Sequence, residues 1–523
     1  MDEKELSHRL VYLGEICEYG KERCDNLLNR KLSFMESESL IKMFRSFFEG
    51  IEHSIVQELK SYSLYDPERV RADIQLTSQL LRWIHGNFIN LEPLGTENIS
   101  QSNVYLFNYL SSKLGLDKDK RINFIFMPTY EFNFMHYDII NDISKILEEL
   151  EYTKSPAIDE LINELEKYKE ERFVLIGFPF VFRGNVILDS IIGHEIGHSI
   201  YNKKVKPSEE LDKSLTAYLK QISDKIHNLS LQIANGMFPE TRIESSKKGK
   251  KKWKAEDKKE QILSIRTNFF YPSIKAELTR LIVESSKDYV EEMFSDIVGL
   301  RVLGPVYVES LFDFLIAATL TSPFSWSHPS FLFRIQYLCS EYGKFDRQDP
   351  VINSVEKALL LYDRKEMVKN SIDNLLKGME ADQDFSNLPF YLRRSGDDAT
   401  EPVDIIVSLI EKFVSDFVSS NLEKYLDLGE NTYKEIARDR DILVARLKKG
   451  FPPCETELGV PADIPAILNA GNRFKLDRID EVLESIKSDK DIVNFQEILK
   501  IDRSIFKAVE LSSVHSKLKG SER

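Results

Sequence analysis

The chain has 523 residues, and at roughly 150 residues per domain it has room for about three domains and at least one large core. A composition of 42% hydrophobic and 30% charged residues, with 22 Gly and 18 Pro, excludes a low-complexity or disordered chain, and the many Leu, Ile, Glu and Lys predict a mainly α protein. The net charge of −14 opposes a phosphate backbone, so nucleic acid is not expected as the main partner and anionic membrane surfaces are disfavoured.

No stretch is long enough to cross a bilayer: the longest charge-light run, Phe314 to Ser327, falls short of the about 20 apolar residues that a span needs. The start, Met1-Asp2-Glu3-Lys4-Glu5, carries no apolar export segment. Cys17, Cys24, Cys339 and Cys454 show no CxxC spacing, and so few thiols in so long a chain point to a reducing compartment. A soluble, cytoplasmic protein is expected.

From Leu6 to about Lys113 apolar residues recur at three and four, as in Ile51-Ile55-Leu59 and Leu80-Leu81-Ile84, with breaks at Asp66-Pro67 and Pro93-Leu94-Gly95. This predicts a helical N-terminal region over residues 1–118. Residues 119–345 read differently. Arg121 to Met127 and Arg172 to Ile176 are short β-branched and aromatic runs, predicted as strands. Helices are predicted over Ile139 to Lys169, Asp189 to Tyr201, Leu211 to Asn235, Asp288 to Leu303 and Val308 to Leu320, which makes this section an α+β core with a small sheet. Residues 346–523 return to a helical pattern, punctuated by Arg394 to Asp398 and by Gly450-Phe451-Pro452-Pro453. A Lys-rich insertion near 245–260 includes Trp253; it reads either as a patch for an acidic partner or as a solvated loop, and the acidic balance of the chain favours the loop.

The residues that carry chemistry are His194-Glu195-Ile196-Gly197-His198, an HExxH. With nine histidines in the chain, chance would supply roughly 0.015 such motifs. Asn185 or Asp189 can cap a helix start and Lys203-Lys204 suit its end, so the motif should be helical, with both imidazoles on one face and able to share a Zn²⁺ ion. Glu195 is rotated away from the ligand direction but can reach the water on the metal as a general base. A catalytic zinc needs a third protein ligand and an open position. Tyr201 and Lys204 occupy the glycine and histidine positions of the longer HExxHxxGxxH pattern, so that ligand must come from elsewhere.

Glu292, 94 residues after His198, is the expected ligand. On a helix capped by Ser285 or Ser286, Glu292 and Asp296 share a face, the glutamate ligating zinc and the aspartate holding a ligand imidazole by its other N–H. Gly299, one turn on, is expected to let two helices approach closely. Glu291 is the rival ligand. It points about 100° away from Glu292 on the helix, so Glu291→Ala is expected to resemble the wild type.

The pair of motifs, His194 to His198 and Glu292 to Gly299, resembles the gluzincin metallopeptidases, in which a glutamate from an ExxxD helix completes the zinc site. Ser327-His328-Pro329-Ser330-Phe331-Leu332-Phe333-Arg334-Ile335 is similar to the HP(P/S)xxxRI segment of the HtpX and CAAX-prenyl-protease family. The resemblance spans roughly Phe173 to Tyr337. It implies a zincin fold for the core, Zn²⁺ on His194, His198 and Glu292, and a protein or peptide substrate. That family is typically membrane-embedded and this chain has no transmembrane stretch, so prenylated substrates are not implied. His328 is a candidate donor to the oxyanion that forms during hydrolysis, or else a structural histidine beside Pro329. Arg334 is a candidate support residue paired with Asp296 or another acid. The absence of a GxMEN-type sequence favours an endopeptidase. The alternative is a zincin fold retained as a binding or regulatory scaffold.

Overall fold

Apolar side chains spaced by three and four build the N-terminal helices. The computed structural model describes residues 3–30, 32, 36–61, 67–89, 91, 101–116, 122–129, 135–139, 156–168, 172–179, 188–237, 271–319, 326–360, 362, 400–426, 431–456, 459–487 and 495–521. The chain is mainly α and divides into two compact units, one of Met1–Glu195 with Ala437–Arg523 and one of Ile196–Ile436. No described helix is long and apolar enough to cross a membrane.

In the first unit, α1 (Glu3–Leu28), α2 (Glu36–Ser61), α3 (Pro67–Ile89) and α4 (Gln101–Lys113) come first. Leu6, Leu10, Leu13 and Cys17 form the buried face of α1, in one core with Leu40, Phe44, Phe47, Phe48 and Ile51 of α2. Each such side chain contributes about 1.5–3 kcal/mol when taken from water. All four cysteines are free thiols, and burial pushes the Cys17 thiol up to about 12, which leaves it unreactive.

Strand β1 (Ile122–Thr129), strand β2 (Met135–Asp138), helix α5 (Pro156–Tyr168) and strand β3 (Arg172–Pro179) follow. The sheet order is β1-β3-β2. Strand β3 runs parallel to β1, with Ile122 opposite Arg172, and antiparallel to β2, with Met135 opposite Gly177. A parallel neighbour needs a crossover, which contains α5. Phe173 to Phe178 are all buried, as the continuous apolar run of a central strand requires. Strand β2 lies outside the predicted strands because four residues offer too little alternation to read. Of the predicted helix Ile139 to Lys169, Pro156–Tyr168 is helical and residues 140–155 lie outside the described set, as does the Lys-rich segment.

A 3-10 turn at Leu188–Ile191 leads into α6 (Ile192–Ile200), and the division between the units falls inside this helix, after Glu195. The second unit continues with a π turn (Tyr201–Val205), α7 (Glu210–Gln221), α8 (Ser223–Met237), α9 (Tyr271–Leu303), α10 (Pro305–Thr319), α11 (Phe331–Gly343), α12 (Pro350–Leu359) and α13 (Thr400–Tyr425). Helix α14 (Asn431–Lys448) crosses the second division, and α15 (Ile464–Lys487) and α16 (Phe495–Ser521) return to the first unit.

Helix α9 organises the second unit, packing on α8, α10, α11, α13 and the π turn. From Tyr289 to Leu303 every residue except Glu291 is buried, the mark of a central helix. It starts well before the predicted cap. Ser285 and Ser286 are buried inside it rather than at its end. Upstream, Ile274, Leu278, Leu281 and Ile282 are buried at helical spacing and carry the stripe to Tyr289; the two serines fill that stripe as small residues.

Candidate metal centre

Helix α6 is short, with Ile192, Ile196 and Ile200 buried at a spacing of four. The same spacing puts His194 and His198 on one face, one turn apart. Gly197 brings this helix onto α9: an added Cβ would stand 2.5 Å from the Ser295 Cα and 2.9 Å from its carbonyl oxygen. The close approach expected at Gly299 is therefore made by Gly197. Gly299 instead accommodates the Tyr307 ring, which would lie 2.4 Å from an added Cβ. In the π turn that follows, Asn202 Nδ2 donates to the His198 carbonyl oxygen at 3.0 Å. Lys203 and Lys204 sit in this turn, beyond the end of α6.

Helix α9 delivers the carboxylates. One ligand atom each from His194, His198 and Glu292 lies within 4.8 Å of the others, so the three could hold a metal ion. Nε2 of His198 is 3.7 Å from Oε1 of Glu292. Bonds of about 2.0–2.2 Å in a tetrahedral site set neighbouring donors roughly 3.3–3.6 Å apart, and two imidazoles with one carboxylate leave a position open. The donor set is one that could hold a metal ion. The other ring nitrogen of His198, Nδ1, is 3.0 Å from Oε1 of Glu291. A carboxylate on the outer nitrogen fixes the ring's tautomer and raises its basicity as a ligand.

Behind Glu292 lies a buried ionic network. Arg334 Nη1 is 3.2 Å from Glu292 Oε2. The same guanidinium donates through Nε to Asp296 Oδ2 and through Nη2 to Asp296 Oδ1, both at 2.7 Å. Tyr307 donates its hydroxyl to Asp296 Oδ1 at 2.7 Å. Asp296 is 0% exposed, so its charge depends on these donors. Burial would lower the Arg334 pKa, but the carboxylates of Asp296 and Glu292 raise it above its ordinary value. Arg334 reaches the network because Ser330 caps α11, accepting from the Phe333 N–H at 3.3 Å.

The structure thus gathers His194, His198, Glu292, Asp296 and Arg334 around one centre, with Glu195 buried in the turn between the histidines. The side chain of His328 is 58% exposed, with Nε2 3.6 Å from Glu292 Oε1 and Nδ1 2.9 Å from Ser327 Oγ. Two neighbours escape the sequence reading. Glu291, expected to be dispensable, is the carboxylate on the outer nitrogen of His198, the kind of contact expected of Asp296, whose oxygens instead meet Arg334 and Tyr307; the helical wheel separates Glu291 from Glu292 but does not show that it meets the same histidine. Tyr307 gives no sequence signal, since it comes from the next helix. No protein-family model matches the chain, and neither a curated protein nor a solved structure matches it.

Proposed function

We propose that this protein is a zinc-dependent metallopeptidase of the gluzincin type, an endopeptidase acting on a protein or peptide. The observation that carries the reading is the convergence of His194, His198 and Glu292 with Glu195 placed between the two histidines. The resemblance to gluzincins in both motifs supports it. In this reading α6 is the active-site helix of an α+β zincin core, and β1 to β3 supply its sheet.

Two neutral imidazoles and one carboxylate suit Zn²⁺ among the first-row ions. Zinc, when bound, lowers the pKa of a water and polarises the scissile carbonyl. Glu195 takes the proton of the attacking water on its carboxylate and returns it to the leaving amine nitrogen. His328 donates from its ring to the carbonyl oxygen as negative charge grows there. Glu291 holds the His198 ring by its Nδ1, leaving Nε2 as the nitrogen that would hold a metal ion.

The test is a comparison of the wild type with Glu195→Gln, His194→Ala and His198→Ala. Glu195→Gln should keep about one zinc per chain and lose hydrolysis by 10²- to 10⁴-fold, roughly the worth of a general base. The histidine variants should lose the metal. Equal metal content in all four proteins sinks the metal centre. Full metal and an unchanged cleavage profile of cellular proteins in Glu195→Gln would leave the scaffold reading in its place.

A further inference from the structure

We infer that Arg334 is a positioning residue that holds Glu292 to one-oxygen ligation and so keeps a coordination position open; the inference rests on the metal-centre reading above. Glu292 has two oxygens with different neighbours. Oε1 faces His198 Nε2 at 3.7 Å and His328 Nε2 at 3.6 Å, while Oε2 is 3.2 Å from Arg334 Nη1. A carboxylate without that partner can turn both oxygens to a metal. With the water kept, two histidines and a chelating glutamate would make the ion five-coordinate and so take the position that a substrate carbonyl must use.

The guanidinium is well suited to this task. Its Nε and Nη2 grip both oxygens of Asp296, which fixes its plane, and Nη1 is left to meet Glu292. A lysine is a point charge and cannot span two carboxylates in this way. The grip also balances charge. Alone, a buried cation on a ligand carboxylate would compete with the metal; Asp296 neutralises it, so Glu292 keeps its own negative charge for the ion. Tyr307, donating to Asp296 Oδ1, holds the far end of the chain of bonds.

The experiment uses zinc-loaded full-length protein and X-ray absorption at the zinc edge, which counts ligands, together with zinc affinity by competition with a chelator. The wild type should show four ligands. Arg334→Gln alone would strand Asp296 as a buried unpaired charge, so the double variant Arg334→Gln with Asp296→Asn removes both charges together. It should show five ligands through the second oxygen of Glu292 and a zinc affinity changed by about 10- to 100-fold, as for other outer-shell changes. Arg334→Lys, which keeps a cation beside Asp296 without the fork, should also gain the fifth ligand. Four ligands and wild-type affinity in both variants overturn the inference while leaving the metal centre standing, and a lysine variant with wild-type ligand number overturns the geometric claim by assigning the effect to charge alone. A wild type that binds no zinc overturns the metal centre and this inference with it.

Discussion

Each unit buries a pair of acids, and the two pairs are handled in opposite ways. In the second unit Asp296 and Glu292 sit around the Arg334 guanidinium, at 2.7 Å and 3.2 Å, and Tyr307 adds a hydroxyl. In the first unit Glu58 and Asp73, 7% and 5% exposed, face one another, and Arg69 Nε stands 3.9 Å from Asp73 Oδ2, beyond hydrogen-bond distance. Burial, then the charge of Asp73, pushes the Glu58 carboxyl up to about 7. One pair is set around a fixed cation and the other lowers its charge by holding a proton. A metal ligand needs the first arrangement, because only an ionised carboxylate binds the ion. The second suffices where a carboxyl merely completes a helix contact.

Glycines sharpen the same contrast, and the largest expected effect lies there. At Gly197 an added Cβ meets backbone, 2.5 Å from the Ser295 Cα, so Gly197→Ala must push α6 off α9 and carry His198 away from Glu292. We expect a loss of about 2–3 kcal/mol in stability, as for other overpacked sites, and a large loss of bound metal. Gly14, in the middle of α1, has nothing within 4 Å of an added Cβ; Gly14→Ala should gain up to about 1 kcal/mol from helix propensity. Denaturant unfolding of both variants checks the pair. Equal and small shifts would show that the helices around the centre tolerate separation and that the contact is loose.

What could be read in the sequence was whatever one helix decides alone. His194, Glu195 and His198 follow from a spacing of four, and Glu292 follows from an acid one turn from Asp296 on the same face. The runs that became β1 and β3 were legible from β-branched and aromatic density. What two elements decide together was not. Which glycine makes the close contact depends on where α6 crosses α9, and this moved the contact expected at Gly299 to Gly197. The start of α9 was misplaced because serine favours caps in isolation, whereas here Ser285 and Ser286 fill small sites in a buried stripe. Arg334 reads as a partner of Asp296 or another acid, but that it meets Asp296 and Glu292 together, with the Tyr307 hydroxyl on Asp296, needs α9, α10 and α11 to be assembled first.

Glu291 tests the ionised arrangement at its edge. Its Oε1, 3.0 Å from His198 Nδ1, accepts the ring N–H and so leaves Nε2 facing Glu292, where a metal ion could sit. Glu291→Gln keeps the size and an acceptor but loses the charge, and Glu291→Ala loses both. Zinc affinity should fall in that order, reaching about 10- to 100-fold for the alanine. Competition with a chelator measures it. Unchanged affinity in Glu291→Ala would mean that the backbone of α6 alone orients the ring, through contacts such as Asn202 with the His198 carbonyl.

The smallest expected effect tests the protonated arrangement. The folded-state pKa of Glu58 is about 7 against an ordinary 4.5, so between those values the folded chain keeps a proton that the unfolded chain has released. The stability that this proton confers is complete below about pH 4.5 and is lost as the pH rises through about 7. Glu58→Gln carries a permanent stand-in for the protonated form and cannot lose it. The variant and the wild type should therefore melt together near pH 4.5, and the variant should draw ahead as the pH rises, by on the order of 1 kcal/mol above pH 7. Melting curves at steps from pH 4.5 to 8 read the difference directly. A constant gap across that range would mean that Glu58 is ionised throughout and that Arg69 balances the first unit's pair as Arg334 balances the second unit's; the contrast between the two would then fail.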